Sequence, residues 1–131
     1  MIKQIAHVCF GTSDLDKTVE FYGRCFGSKI LHEFRDPKGD LYGVFISISE
    51  NCNLEFFRVS ESIQPGTLFR HLCLEVDDIE AIKLVLSEKG IATEIKRGRT
   101  DLTLQCWVED PNGIRIEFHQ YDSQSRLRKS L

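Results

Sequence analysis

Four side chains in this chain have the types and spacing to hold a metal ion: His7, Glu55, His71 and Glu117. The imidazoles lie 64 positions apart in matching contexts, IAHVCF (5–10) and FRHLCL (69–74). The glutamates sit between hydrophobes in NLEFF (53–57) and IRIEFHQ (114–120), 48 residues after the first histidine and 46 after the second. Strand side chains alternate faces. His7 and Cys9 therefore lie opposite Ala6, Val8 and Phe10, while His71 and Cys73 lie opposite Leu72, Leu74 and Val76. Glu55 lies opposite Leu54 and Phe56, and Glu117 opposite Ile116 and Phe118. Each residue alone reads as an ordinary polar residue on an amphipathic strand. Recurring under one internal repeat, the four read as a donor set for a divalent ion such as Zn, Ni, Co, Mn or Fe. Four protein ligands leave room for water or substrate, the arrangement of a catalytic rather than a closed structural site.

The elements that must position these residues are written twice. With an offset of 64, His7 falls on His71, Cys9 on Cys73, Asp14 on Asp78 and Leu15 on Ile79; Gly27 meets Gly90 after a slip of one. The spacing predicts a helix over 14–26, with Leu15, Val19, Tyr22 and Phe26 on one stripe, Ser13 and Asp16 as a capping start and Gly27 as a stop. A second helix over 78–89 carries Ile79, Ile82 and Leu86, with Asp77 and Glu80 as its start and Gly90 at its end. Three strands follow each helix: 29–34, 41–48 and 53–59, then 92–96, 102–109 and 114–120. DPKG (36–39) and DPNG (110–113) supply turns. The pattern is βαβββ twice, an α+β class, with a connector at 62–67. Modules of about 60 residues are marginal alone, so the halves are expected to share buried surface.

Composition narrows the function. A net charge of −3 and a pI near 5.8 exclude nucleic acid as main partner. No apolar run reaches the roughly 18 residues that cross a bilayer. The start MIKQIAHVCF has no export signal, and five cysteines without a C-x-x-C pair suit a reduced compartment, so a cytoplasmic protein is expected. SQSRLRKSL (123–131) reads as a mobile polar end.

The doubled pattern, with HVCF, NLEFF, RHLCLEVDD and WVEDPNGIRIEF, resembles the vicinal oxygen chelate superfamily of glyoxalases, bleomycin and fosfomycin resistance proteins and extradiol dioxygenases. The likeness runs from about Ile2 to Tyr121, and DLDKTVEFYGRCFG is similar to the superfamily's first helix. It implies one domain over 1–131, with modules at about 2–60 and 68–121, a tail at 122–131, a cupped mixed sheet and helices on the outer face. It also implies that His7, Glu55, His71 and Glu117 occupy the ligand positions, that the substrate is a small molecule and that the chain forms a homodimer. The glyoxalase (lactoylglutathione lyase) branch looks closest because it carries a carboxylate at both glutamate positions. Two positions depart from that branch: Gly11 stands where it places a glutathione-holding arginine, and Val59 where it tends to carry asparagine.

The expected activity is a lyase or isomerase that chelates neighbouring substrate oxygens and shifts an α-proton. Glu117 is the preferred general base, with Glu55 returning the proton from the opposite side. Side-chain parity adds Phe57, Arg115 and His119 to the ligand face, with Cys9 and Cys73; Trp107 shares a face with Gln105 and is a candidate pocket wall. His119 is a candidate for proton transfer. Arg58 and Arg70 flank the ligand strands, and Lys96, Arg97 and Arg99 form a basic loop able to grip a carboxylate or phosphate. The alternatives are a non-catalytic drug- or metabolite-binding resistance protein and an iron-dependent extradiol dioxygenase.

Overall fold

A computed structural model describes residues 5, 7–59, 69 and 71–126. The chain divides into two compact units, Met1–Pro65 and Gly66–Leu131. In the first, β1 (Val8–Thr12) leads into α1 (Leu15–Phe26), then β2 (Lys29–Arg35), β3 (Leu41–Ser49) and β4 (Cys52–Arg58). In the second, β5 (Leu72–Glu75) is followed by α2 (Ile79–Glu88), β6 (Lys96–Arg97), β7 (Leu104–Glu109) and β8 (Arg115–Gln120). Each unit holds a four-stranded mixed sheet, in the orders β1-β4-β3-β2 and β5-β8-β7-β6. The first strand of each runs parallel to the last, and all other pairings are antiparallel. The expected double βαβββ pattern is what forms.

Each helix packs on the two inner strands of its own sheet and fixes which face is dry. In the first unit, Leu15 and Tyr22 of α1 are buried with Val44, Ile46, Leu54 and Phe56 of β3 and β4. In the second, Ile79 and Leu86 are buried with Cys106, Val108, Ile116 and Phe118. Each fully buried side chain of this size contributes about 1.5–3 kcal/mol of transfer free energy. Glu55 and Glu117, one residue out of phase with these hydrophobes, are turned to the other face.

Local chemistry moves several boundaries from their expected places. The helix caps are Asp14 and Asp78, not Ser13 or Asp77: Asp14 accepts from the Lys17 amide and Asp78 from the Ala81 amide. Gly27 stops α1 in the left-handed conformation, φ 65°. The buried stripe of α1 is Leu15, Thr18, Tyr22 and Cys25, rotated from the expected Val19 and Phe26. Thr18 tolerates burial because its hydroxyl bonds Thr12 Oγ1 at 2.9 Å and donates to the Asp14 carbonyl. Of the strand expected over 92–96 only Lys96 pairs, within the two-residue strand Lys96–Arg97. The Thr93 hydroxyl donates to the Trp107 carbonyl at 2.7 Å and accepts from the Trp107 amide at 3.2 Å, taking the place of a backbone ladder. The strand expected from 102 begins at Leu104, because Leu102 turns left-handed (φ 58°) and Asp101 Oδ1 caps the Thr103 amide.

The tail is anchored over its described part. Asp122 takes a bidentate pair of bonds from Arg97, at 2.8 and 3.2 Å, and the Arg126 amide donates to the Asp101 carbonyl. Ser125 is buried. The expected mobile end therefore does not apply to Ser123–Arg126, and 127–131 lie outside the described residues.

Two predictions follow from these contacts. Thr93→Val leaves both Trp107 backbone groups without their partner and lowers stability by about 1–3 kcal/mol, read as a shifted urea midpoint at constant slope. Hydrogen bonding to Arg97 holds the Asp122 carboxyl down at about 2. A depressed carboxyl stabilises the fold above its ordinary value near 4 and loses that contribution as pH falls towards about 2. The melting-temperature gap between parent and Asp122→Asn is expected to be constant above pH 5 and to close between about pH 4 and 2.

Candidate metal centre

Parallel pairing of first and last strands brings the histidine and glutamate of each half together. In the second unit the register sets Cys73 beside Glu117 and Glu75 beside His119, with His71 just ahead of β5. His71 Nε2 stands 3.0 Å from Glu117 Oε2. The other carboxylate oxygen, Oε1, lies 2.6 Å from His119 Nε2. Glu117 is thus bridged by two imidazoles, and both it and His119 are buried. Trp107 faces Glu117 from β7 and packs edge-on against the His71 ring, centroids 4.9 Å apart. The Arg115 guanidinium lies 4.5 Å from the Trp107 ring centroid, a cation–π contact on the same face.

The first unit repeats the skeleton with looser contacts. Cys9 pairs with Glu55, and His7 Nε2 stands 3.7 Å from Glu55 Oε1. Phe45 faces Glu55 from β3, and its ring meets His7 edge-on at 5.4 Å. Phe45 is therefore the counterpart of Trp107, each ring steadying the imidazole beside its glutamate. Sequence reasoning missed it. The signal was present: Phe45 precedes Trp107 by 62 positions, the same offset that relates Glu55 to Glu117.

The donors fit a divalent ion. Two ligand atoms about 2.1 Å from one ion stand about 3.0–3.4 Å apart at tetrahedral or octahedral angles and at most about 4.2 Å apart. The pairs at 3.0 and 3.7 Å fall inside that limit, and Nε2 is the imidazole nitrogen turned to the carboxylate in both. Sγ of Cys73 also lies within 4.8 Å of Glu117 and His119 ligand atoms. Burial first, and the charges of Glu117 and Asp101 second, push the Cys73 thiol up to about 12, so it stays protonated at neutral pH. Burial raises Cys9 likewise, and its thiol donates to Glu55.

The remaining candidates separate. Trp107 lines an open pocket of about 390 Å³ with Gln105, Lys96, Thr93, Glu94 and Ala92. Phe57 lies on the ligand face over Gly43 and 4.9 Å from Phe34. The expected basic grip changes character: Arg97 is tied to Asp122 and donates to the Leu102 carbonyl at 2.6 Å, which makes it a turn clamp. Lys96 pairs with Glu94 at 3.3 Å. Arg99 is exposed on the β6–β7 turn, Arg58 is exposed at the end of β4, and Arg70 lies outside the described residues.

Known proteins resemble this chain over most of its length. The "Probable lactoylglutathione lyase" of Synechocystis sp. is 28% identical over 127 residues, covering 92% of this chain and 97% of that protein. The "Lactoylglutathione lyase" of Neisseria meningitidis serogroup A is 27% identical over 127 residues, covering 92% of each. The crystal structure of a glyoxalase family protein from Enterococcus faecalis superposes with a TM-score of 0.73 at 28% identity, over 89% of this chain and 97% of that one. The family model for the Glyoxalase/Bleomycin resistance protein/Dioxygenase superfamily matches residues 4–118, and on that match the chain belongs to this superfamily.

Proposed function

We propose that the chain is a metal-dependent lyase or isomerase of glyoxalase type, with His7, Glu55, His71 and Glu117 as its metal donors. The observation that carries this reading is the duplicated imidazole–carboxylate pair, at 3.7 and 3.0 Å, each with an aromatic ring set edge-on against its histidine. A divalent ion bound by these groups supplies Lewis acidity to adjacent oxygens of a small substrate. The protein's own part is to present neutral Nε2 atoms to the ion and to place a carboxylate beside the carbon that loses its proton. Trp107 supplies an apolar wall to that face, and Arg115, held over the indole, supplies positive charge for an anionic substrate group. The similarity to lactoylglutathione lyases makes the hemithioacetal of a 2-oxoaldehyde and a thiol the first substrate to try, with a homodimer as the expected assembly. Gly11 and Val59 leave open room for a thiol other than glutathione.

The test begins with protein purified without chelator. Bound divalent metal is expected, together with solvent deuterium incorporation when methylglyoxal and glutathione are supplied. His7→Ala and His71→Ala should each weaken metal binding by more than the 10–100-fold that an outer-shell change costs. Retention of full metal affinity in both variants would refute the donor assignment.

A further inference from the structure

The two halves hold their glutamates differently. Glu117 is buried at 8% side-chain exposure, with Oε2 at 3.0 Å from His71 and Oε1 at 2.6 Å from His119. Glu55 is twice as exposed, at 16%, and its imidazole contact is 3.7 Å, longer than a hydrogen bond. One position beside each glutamate differs in kind. Two residues after each glutamate, on the same strand face, stands His119 in one unit and Phe57 in the other. His119 brings a ring nitrogen to 2.6 Å from the carboxylate, whereas the Phe57 ring brings no polar atom. The ring fits there because its cross-strand neighbour is Gly43: a Cβ on that residue would overlap Phe57 Cδ1. Glycine at 43 is what lets the ring lie across the sheet. The Cys9 thiol donates to Glu55, a weak bond.

The His119 ring is fixed from one side only: Nε2 lies 2.6 Å from Glu117 Oε1, and Nδ1 is buried with no partner among the described residues.

We propose that His119 is a positioning residue that holds the Glu117 carboxylate in place as a metal ligand, a support that Phe57 does not give Glu55. The contact stands on the geometry above; the metal-ligand role rests on the reading under Proposed function.

The experiment has two arms. In metal-free protein, long-range proton–nitrogen NMR correlation is expected to show His119 protonated at Nε2, the nitrogen that faces Glu117; the Nδ1–H tautomer overturns the contact. In the second arm, Zn(II) and Co(II) dissociation constants are measured by chelator competition on folded variants checked by circular dichroism. His119→Leu should lose about 10–100-fold in affinity, and His119→Gln, which restores an N–H at the Nε2 position, should recover to within about 3-fold of the parent. Equal affinity of the parent and His119→Leu overturns the proposal. Should His119→Leu fail to fold, the His119→Gln affinity and the tautomer decide. A parent chain that binds neither ion refutes the proposed function, and the NMR arm still judges the contact.

Discussion

Everything at the candidate centre depends on the parallel pairing of the first and last strands in each unit. A parallel pair cannot close through a tight turn; it needs a crossover, here a helix followed by two further strands. That long connection is why a histidine near residue 7 and a glutamate at 55 become neighbours. Register partners point to the same face, so Cys9 opposite Glu55 and Cys73 opposite Glu117 fix the carboxylates on the side away from the helices. A slip of one residue would turn each glutamate into the core among Leu54 and Phe56 or Ile116 and Phe118. The hydrophobic set of the helix-facing side forbids it. Core packing thus specifies the chemistry of the opposite face.

On this common skeleton the two halves have diverged in what surrounds the carboxylate. Both keep an aromatic ring across from the glutamate and edge-on to the histidine, Phe45 in one and Trp107 in the other. Trp107 differs in carrying the Arg115 guanidinium over its face. The glutamate's own strand neighbour also differs, a hydrocarbon at Phe57 and an imidazole at His119. One carboxylate sits in a charge-assisted network in a buried setting, where such bonds are strong; the other has the freedom of a partly exposed group.

How far the sequence could be read varies with the kind of interaction. The elements were legible because they rest on local rules: hydrophobic period, glycine stops and Asp-Pro-x-Gly turns all act within a few residues. The pairing of each histidine with its glutamate was legible because duplication supplied a second copy of the same spacing. Errors arose where a side chain replaced a backbone interaction. Thr93 bonding both polar groups of Trp107 removed a predicted strand, and Asp122 drew Arg97 out of a predicted anion-binding loop and anchored the first part of the tail. Such contacts join residues 14 and 25 positions apart, and no periodicity encodes them.

The sequence by itself determined the element order, the two-fold repetition, the dry face of each sheet and the four candidate donor residues, because all of these follow from side-chain type and spacing along the chain. Only tertiary structure decided which donors are held and by what. The 2.6 Å contact of His119 with Glu117, the seat of Phe57 over Gly43 and the ring of Phe45 against His7 depend on register and rotamer. Those are set by packing across strands, where a shift of an ångström separates a hydrogen bond from none.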